Sequence, residues 1–246
     1  MIRFYSPDIQ QTGRLPEDES SHCVRVLRMR EGADIETVDG AGNSYSCVVT
    51  DANPRGVYVE ITERRTEPKQ WNGRMVLAVA PTKNADRMEW LVEKVTEMGV
   101  DEIVLLRCEH SERKVMKTDR LQRIMVSAMK QSLKAQLPVL RGPVDFKEFM
   151  TETAGSDACK VFGYCAASVP RRDFGQVFMA GSDLTVMIGP EGDFSPAEVE
   201  QAMSMGYLPV TFGKSRLRTE TAALYAVAAF HVLNNKAGLN PGRFQE

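Results

Sequence analysis

The chain has 246 residues, of which 43% are apolar and 26% are charged, and its formal net charge is −2. This length suits one large domain or two modest ones, and the composition is that of a globular protein. A net charge near zero excludes a global basic field, so any contact with nucleic acid must come from local patches. The opening stretch MIRFYSPDIQ lacks a signal-peptide apolar core, and no apolar run reaches membrane-spanning length. We therefore expect a cytoplasmic protein with no membrane partner.

The cysteines and histidines argue against a disulfide framework and against a metal site. The five cysteines are an odd number and contain no C-x-x-C pair: Cys23, Cys47, Cys108, Cys159 and Cys165. The three histidines are far apart in the chain: His22, His110 and His231. We expect reduced thiols and no bound metal.

Residues 1–68 are predicted to form a small β-rich domain. Asp39-Gly40 and Gly42-Asn43 are hairpin-type turn residues between alternating apolar runs, and GVYVEITE is a further alternating strand. Several short strands in so few residues favour a small barrel. The polar stretch RTEPKQWNG that follows is predicted to be a linker.

From residue 74 onward, strands alternate with helices, which predicts an α/β domain over 74–246. Continuously apolar strands separated by helices indicate a parallel sheet covered on both faces. The predicted strands are 75–80, 102–107, 160–165, 184–189 and 207–213. The predicted helices are 85–99, 118–134 and 219–236.

The stretch MIGPEGDFSPAEVE, residues 187–200, joins a strand to a helix through a glycine-containing loop. Ser195 is a good N-cap residue, Pro196 fits the first helical position, and Glu198 completes a capping box. A strand, a tight glycine loop and a helix start form the place where an α/β protein often binds a ligand.

Three predicted strands end in loops that contain glycine: VFGYCAA, IGPEGDFS and TFGKSRLRTET. If these loops converge, their glycines let the backbone approach a ligand closely: Gly163, Gly189, Gly192 and Gly213. The alternative is that each glycine is only a turn residue. The chain contains no phosphate-binding G-x-x-x-x-G-K-[ST] motif, no dinucleotide G-x-G-x-x-G motif and no G-x-S-x-G nucleophile elbow.

Two basic features are candidate contacts for an anion. Arg218 stands directly before the predicted helix at Thr219, where the helix dipole disfavours a cation unless an anion compensates it. The compensating group is either a ligand or a carboxylate of this chain, Glu191 or Glu220. The run from 107 to 134 contains eight Lys and Arg against three Asp and Glu. It is predicted either to contact phosphates or to be a solvated helix face.

Together these motifs resemble the RsmE-type methyltransferases, which are small-subunit ribosomal RNA uridine-N3 methyltransferases of the SPOUT superfamily. IGPEGDFSPAE followed by FGKSRLRTETAALYA is similar to the family's signature pair. The stretch SHCVRVLRMREGADIETVDGAGNSYSCVV resembles its N-terminal PUA-like RNA-binding barrel. Asp193 departs from the pattern because a second glycine commonly follows Gly192 in the family. Phe212 and Lys214, which flank Gly213, also differ from the common residues.

The resemblance implies a trefoil-knotted C-terminal domain, S-adenosylmethionine as the methyl donor, 16S ribosomal RNA or the small ribosomal subunit as partner, and a homodimer. It implies a donor pocket formed by Gly163, Tyr164, Ile188, Gly189, Gly192, Phe212, Gly213, Arg216 and Leu217. It implies Arg218 as the catalytic group that stabilises charge on uracil, with Glu220 or Glu191 accepting the proton or orienting Arg218. The predicted RNA contacts are Arg25, Arg28, Arg113, Lys114, Lys117 and Arg120.

Two other functions stay open at this point. One is a related SPOUT enzyme that methylates a ribose 2′-hydroxyl of RNA. The other is a non-catalytic RNA-binding or ribosome-assembly protein. The sequence identifies no general base.

Overall fold

The computed structural model describes residues 2–113, 116–166 and 169–238, and the chain forms two compact units. One unit comprises Met1–Gln70 and Met125–Leu137, and the other comprises Trp71–Ile124 and Pro138–Glu246. The predicted domains, 1–68 and 74–246, differ from these units in the placement of residues 125–137. The predicted linker over 65–73 is also wrong in part, since Arg65 and Thr66 end a strand and Trp71 is buried.

Residues 125–137 belong with the N-terminal unit because their apolar side chains are buried there. Met129 and Ala135 form a small apolar cluster with Val38, and the partly buried Tyr5 packs against it. This segment includes the second half of helix α4 (Thr118–Gln131). The helical pattern of the sequence does not indicate that the two halves of this helix belong to different units.

The N-terminal unit contains a four-stranded sheet in the order β1-β2-β3-β4, in which only β1 and β2 are parallel. The strands are β1 (Arg3–Tyr5), β2 (Asp34–Val38), β3 (Asn43–Asp51) and β4 (Tyr58–Thr66). The short helices are α1 (Ile9–Thr12) and α2 (Glu17–Ser21), followed by a π-helical turn at His22–Val26. The predicted hairpin is confirmed, since β2 and β3 pair across the Asp39–Gly42 turn.

The sheet curls toward closure through the extended segment after α1. The Leu15 amide donates to the Val57 carbonyl at 2.9 Å, and the Val59 amide donates to the Gly13 carbonyl at 2.8 Å. At the other side, Ser6 Oγ donates to the Arg14 carbonyl at 3.0 Å, just past the end of β1. These bonds join both edges of the sheet to one segment, as in a small barrel.

The C-terminal unit is built on a seven-stranded, all-parallel sheet in the order β7-β6-β5-β10-β8-β11-β9. Its strands are β5 (Met75–Val79), β6 (Glu102–Arg107), β7 (Val139–Asp145), β8 (Cys159–Gly163), β9 (Arg172–Asp173), β10 (Leu184–Ile188) and β11 (Leu208–Thr211). Its further helices are α3 (Ala85–Met98), α5 (Phe146–Thr153), α6 (Phe174–Val177), α7 (Pro196–Ser204) and α8 (Thr219–Gly238). The α/β prediction is confirmed, and β7, β9, α5 and α6 are additional to it.

Helices cover both faces of this sheet, which explains why its strands are apolar without alternation. Helices α5 and α7 pack on one face, where Val76 and Ala78 of β5 join the same core as Phe149 and Val199. Helices α3 and α8 pack against each other, and α8 lies against β5 and β10. All five residues of β5 and of β10 are buried.

The trefoil knot stays a prediction, because strand order and pairing specify which strands are neighbours and not how the chain is threaded. Among the described helices, none combines the length and the apolar character needed to cross a membrane.

Candidate active site

Five loops leave the same edge of the parallel sheet, at the carboxyl ends of the central strands. They are named here after the strand that precedes each: the β5 loop (80–84), the β6 loop (108–113), the β8 loop (164–166), the β10 loop (189–194) and the β11 loop (212–218). In open parallel sheets, ligands bind at this edge. The sequence predicts that the three glycine-containing loops lie close together, and the contacts between the loops show which of them meet.

The β10 loop leads into α7 through the predicted capping box. Ser195 Oγ accepts from the Glu198 amide at 3.3 Å, and Glu198 Oε2 accepts from the Ser195 amide at 2.9 Å. The other carboxylate oxygen, Oε1, accepts from the Glu109 amide at 2.8 Å. The capping residue therefore also attaches the β6 loop to the start of α7.

The β5 loop is held by side chains from two of its neighbours. Glu191 Oε1 accepts from the Lys83 amide at 3.1 Å. Arg113 donates from Nε to the Thr82 carbonyl at 3.1 Å and from Nη2 to the Lys83 carbonyl at 2.6 Å. Both side chains thus hold the β5 loop, although the sequence predicts catalysis for Glu191 and a phosphate contact for Arg113.

His110 connects the β6 loop to the β10 loop. Its Nδ1–H donates to the carbonyls of Gly192, at 3.2 Å, and Asp193, at 3.0 Å. Asp193 Oδ2 in turn accepts from the Cys165 amide of the β8 loop at 3.0 Å. A continuous set of contacts therefore runs from the β6 loop through the β10 loop to the β8 loop.

The glycines of these loops have different physical roles. A Cβ atom built on Gly163 lies 3.0 Å from the Phe212 ring and 3.1 Å from Ile188 Cδ1. A Cβ atom on Gly189 lies 3.1 Å from the Phe194 ring, and one on Gly192 lies 3.2 Å from His110 Cβ. A side chain at any of these three positions would displace a neighbouring side chain by a few tenths of an ångström, and none of the three has a positive φ.

Gly213 differs from the other three glycines because its backbone conformation, and not its packing, requires glycine. Its φ is +114°, and a Cβ atom built there has no neighbour within 4 Å. The residue is exposed at the turn from β11 into the β11 loop. The backbone is therefore open to solvent, and to a ligand, at this position.

The residues predicted to form the donor pocket differ in their exposure. Tyr164 and Ile188 are buried, and Leu217 is half-buried. The half-buried Phe212 ring lies 5.7 Å from the Phe174 ring and 5.7 Å from the Tyr225 ring. The exposed members are Gly192, Gly213 and Arg216.

Arg218 begins helix α8, and its charge has no partner among the described residues. Its carbonyl accepts the first helical hydrogen bond, from Ala222, at 2.8 Å, which makes it the N-cap residue by position. Thr219 Oγ1 donates to the Gly189 carbonyl at 3.0 Å, so the helix start is attached to the β10 loop. An exposed, unpaired guanidinium at a helix N-terminus is electrostatically unfavourable, as expected for a group that meets an anion.

The carboxylates that the sequence offers as partners for Arg218 make other contacts. Glu220 is buried and lies 3.7 Å from Arg87 Nε on α3. Glu191 is exposed and accepts from the Lys83 amide. Neither carboxylate forms an ion pair with Arg218 in the part of the chain that is described.

The predicted RNA contacts occur in both units, each described separately. Arg25 and Arg28 are exposed in the N-terminal unit. In the C-terminal unit Lys117 is exposed, and Arg120 Nε lies 2.6 Å from Glu89 Oε1. Lys114 lies outside the described residues.

Two ionisable side chains of the edge loops have shifted pKa values. Burial, and after it the charge of Glu198, raises the pKa of the Cys108 thiol. A hydrogen bond to Glu112 raises the pKa of Lys83 above its ordinary value. Both shifts favour the protonated form, so neither group is suited to accept a proton.

The opposite, amino edge of the sheet contains a cavity of about 240 Å³. Arg141 Nε lies 2.6 Å from Glu102 Oε1, and its Nη2 lies 2.7 Å from Glu152 Oε2. Arg74 also pairs with Glu102, and the Arg74 amide donates to Asp183 Oδ1 at 2.7 Å. The two arginines and two glutamates that line this cavity are therefore partners of one another, and Asp183 is bound to a backbone amide.

Sequence reasoning missed two residues that organise the site, His110 and Arg171. His110 contacts carbonyls 82 and 83 residues away in the chain, and Arg171 Nη1 donates to the Tyr164 and Cys165 carbonyls at 3.0 Å each. No local pattern marks these partners, because a carbonyl acceptor is present at every residue.

Two protein families and several known proteins are similar to this chain. The RNA methyltransferase domain family matches residues 69–231, and the RNA methyltransferase PUA domain family matches residues 15–62. The chain is 30% identical over 246 residues to ribosomal RNA small subunit methyltransferase E of Mycobacterium bovis, covering 95% of this chain and 92% of that one.

Two solved structures are similar over almost the whole chain. A probable rRNA-methyltransferase from Porphyromonas gingivalis has a TM-score of 0.92 and 43% identity, with 96% of this chain and 100% of that chain covered. Ribosomal RNA small subunit methyltransferase E from Neisseria gonorrhoeae, bound to S-adenosyl methionine, has a TM-score of 0.83 and 29% identity, with 95% and 98% covered. With its PUA domain, its methyltransferase domain and these relatives, the chain belongs to the ribosomal RNA small subunit methyltransferase E family.

Proposed function

We propose that this chain transfers a methyl group from S-adenosylmethionine to N3 of a uridine in 16S ribosomal RNA. Family membership supports the class of reaction, since the relatives are named as methyltransferases of small-subunit ribosomal RNA. The observation in this chain that carries the proposal is the unpaired guanidinium of Arg218 at the start of α8, directly beside the β10 loop.

The carboxyl-edge loops suit S-adenosylmethionine. The half-buried Phe212 and Leu217 offer an apolar surface for an adenine ring, and the exposed backbone at Gly213 offers hydrogen-bonding groups in the same loop. We assign the buried Tyr164 and Ile188 to the packing that supports this surface. We assign the further donor contacts to the loop backbones at Gly163, Gly189, Gly192, Arg216 and Leu217. The solved Neisseria relative is bound to the same molecule.

When bound, S-adenosylmethionine supplies an electrophilic methyl group on its sulfonium. Uracil N3 carries a proton and is a poor nucleophile until that proton leaves, so the site must hold the base in line and favour its anion. We propose that Arg218 stabilises the negative charge that develops on a uracil carbonyl oxygen. A guanidinium with no partner in its own chain is available for this contact without first breaking an ion pair.

The two candidate carboxylates have different surroundings. Glu191 is exposed and uses Oε1 for the Lys83 amide, which leaves Oε2 as the better candidate proton acceptor. Glu220 is buried beside Arg87, and we assign it to orienting the first turn of α8.

We further propose that the substrate, as naked 16S RNA or as the small ribosomal subunit, contacts exposed basic residues of both units in the cytoplasm. The exposed candidates are Arg25, Arg28, Lys117 and Arg120, whereas the Arg113 guanidinium is bound to two carbonyls. The match to an RNA methyltransferase PUA domain supports an RNA-binding role for the N-terminal unit.

A homodimer is the oligomeric state that we propose. Helix α8 exposes Tyr225, at 48%, and Val232, at 51%, on a helix that is apolar nearly all round. The Tyr225 ring contacts Phe212 of the β11 loop, so this exposed surface continues into the candidate donor pocket.

The test is to map the methylated nucleoside after adding the protein and S-adenosylmethionine to small ribosomal subunits, and separately to naked 16S RNA, from a strain that lacks the enzyme. N3-methyluridine in the RNA supports the proposal. A 2′-O-methylated nucleoside instead indicates the ribose methyltransferase alternative. No product, together with no affinity for S-adenosylmethionine by calorimetry, indicates a non-catalytic assembly protein.

A further inference from the structure

Asp193 occupies a backbone position that few residues other than glycine adopt. Its φ is +61°, in the left-handed region, and its amide donates to the Pro190 carbonyl at 2.9 Å to close a turn. Asparagine and aspartate are the non-glycine residues that tolerate this conformation best. The conformation alone therefore accepts aspartate but does not require its carboxylate.

The Asp193 carboxylate makes one contact inside its own loop and one to a different loop. Oδ1 accepts from the Phe194 amide at 2.9 Å, and Oδ2 accepts from the Cys165 amide at 3.0 Å. A carboxylate that accepts backbone N–H groups forms charge-assisted bonds, which are stronger than bonds between neutral groups. Two walls of the proposed donor pocket are thus joined by one side chain.

The Cys165 amide belongs to the same peptide group as the Tyr164 carbonyl, and that carbonyl accepts from Arg171 Nη1 at 3.0 Å. One peptide plane is therefore held at its N–H end by Asp193 and at its carbonyl end by Arg171. Arg171 Nη1 also donates to the Cys165 carbonyl at 3.0 Å. The rotation of this peptide is fixed from both sides.

We propose that Asp193 is a positioning residue that, with Arg171, fixes the Tyr164–Cys165 peptide in the orientation that S-adenosylmethionine binding requires. The proposal rests on the assignment of the donor pocket to the β8, β10 and β11 loops. The carboxylate preorganises the pocket, so binding does not have to order the β8 loop. Asp193 is not placed in contact with the reacting atoms.

The experiment measures the affinity of the full-length protein for S-adenosylmethionine by calorimetry in three variants. Asp193→Gly loses the carboxylate and relieves the positive φ, whereas Asp193→Ala loses the carboxylate and keeps the strained conformation. We expect the dissociation constant to rise about tenfold in both variants. Asp193→Asn keeps one acceptor for the Cys165 amide and is expected to lose only about two- to threefold.

Asp183→Ala is a matched control. The Asp183 carboxylate lies at the opposite edge of the sheet and also accepts a hydrogen bond from the backbone amide of a distant residue, Arg74. It is expected to lower the melting temperature without changing the affinity for S-adenosylmethionine. A second readout needs no ligand: hydrogen exchange at the Cys165 amide should accelerate in Asp193→Gly and remain unchanged in Asp183→Ala.

The outcomes separate this inference from the function on which it rests. If the wild-type protein has no affinity for S-adenosylmethionine, the proposed function and the inference both fail. If the wild type binds and Asp193→Gly binds equally well, only the positioning role is overturned. Equal losses of affinity in Asp193→Gly and Asp183→Ala would overturn it too, because they would indicate a general effect of lost stability.

Discussion

At the amino edge of the parallel sheet, Arg74 and Arg141 pair with the carboxylates of Glu102 and Glu152 around a cavity of about 240 Å³. At the carboxyl edge, Arg218 is exposed and has no such partner among the described residues. Both edges carry arginine side chains, yet of these three arginines only Arg218 has no carboxylate partner in the part of the chain that is described.

The difference supports our proposal of a site at the carboxyl edge, because an uncompensated cation favours an anionic ligand whereas a cavity lined by ion pairs does not. Each amino-edge arginine pairs with at least one carboxylate of the protein, which is the arrangement expected of a structural ion-pair network. The Arg218 guanidinium donates to no described residue, so the contact that we propose with a uracil oxygen breaks no ion pair. The carboxyl edge also joins four of its loops through side chain to backbone contacts, which fixes the geometry around that charge.

The largest expected effect is that of Arg218→Ala on methyl transfer. If Arg218 holds negative charge on the uracil, its loss should lower the single-turnover rate by about 10²–10³. Affinity for S-adenosylmethionine and the melting temperature should change little, because the guanidinium has no intramolecular partner to lose. Arg218→Lys should restore only part of the rate, since lysine lacks the planar fork. A near-normal rate in folded Arg218→Ala would remove Arg218 from the mechanism.

The next largest effect should follow from Gly189→Val. Its Cβ atom would lie 3.1 Å from the Phe194 ring, so the β10 loop must move, at a cost of about 1–3 kcal/mol of folding free energy. Calorimetry should show no measurable binding of S-adenosylmethionine. Gly155→Val is the control, since a Cβ atom there has no neighbour within 4 Å. Unchanged binding in Gly189→Val would separate the β10 loop from the donor pocket.

A smaller effect should distinguish two basic residues near the carboxyl edge. Lys117→Ala removes an exposed cation and should reduce the slope of log affinity for RNA against log salt by roughly 0.7–0.9, with donor binding unchanged. Arg113→Ala should instead weaken donor binding, because the β5 loop loses two hydrogen bonds and this loop contacts Glu191 of the β10 loop. If both variants change only the salt slope, Arg113 contacts phosphate as the sequence predicts.

The smallest effect should come from Arg141→Ala at the amino edge, which we expect to cost about 1 kcal/mol of stability because the pair is partly exposed. Methyl transfer per folded molecule should be unchanged, and a rate loss comparable to that of Arg218→Ala would break the comparison between the edges.

Acid should remove part of the difference in stability between the wild type and Arg141→Ala. The hydrogen bond from Arg141 holds the pKa of Glu152 below its ordinary value of 4.5, so the stabilisation is complete above that value. It is lost as the pH falls through the lowered pKa. Melting curves of the wild type and Arg141→Ala should therefore converge in acid, and a constant difference down to strongly acidic pH would contradict this account.

The regular elements that carry the site were predictable from sequence because their signals are local. The capping box at Ser195 and Glu198, the helix end at Gly99 and the strand over 102–107 all appear as predicted. Apolar strands, helical periodicity and turn residues each report on a few adjacent positions. The motif pair around Gly189 and Gly213 also led to the correct family before any contact was known.

The contacts between loops were not predictable, because they join residues distant in sequence through groups that every residue has. His110, Arg113 and Arg171 all donate to backbone carbonyls, which leave no mark in the sequence. The predicted helix at 118–134 is a second example. Its periodicity predicts an apolar face, but it does not predict that the second half of this face packs with Val38.

The sequence by itself determined the strand and helix pattern, the glycine loops and the family, since these follow from local propensity and from motifs. Only the tertiary structure decided that Glu191 and Arg113 hold the β5 loop, that Glu220 faces Arg87, and that Arg218 is left unpaired. The physical reason is that an ion pair or hydrogen bond depends on distance in space. The parallel sheet brings together loop residues that are separated by as many as 108 positions in the chain.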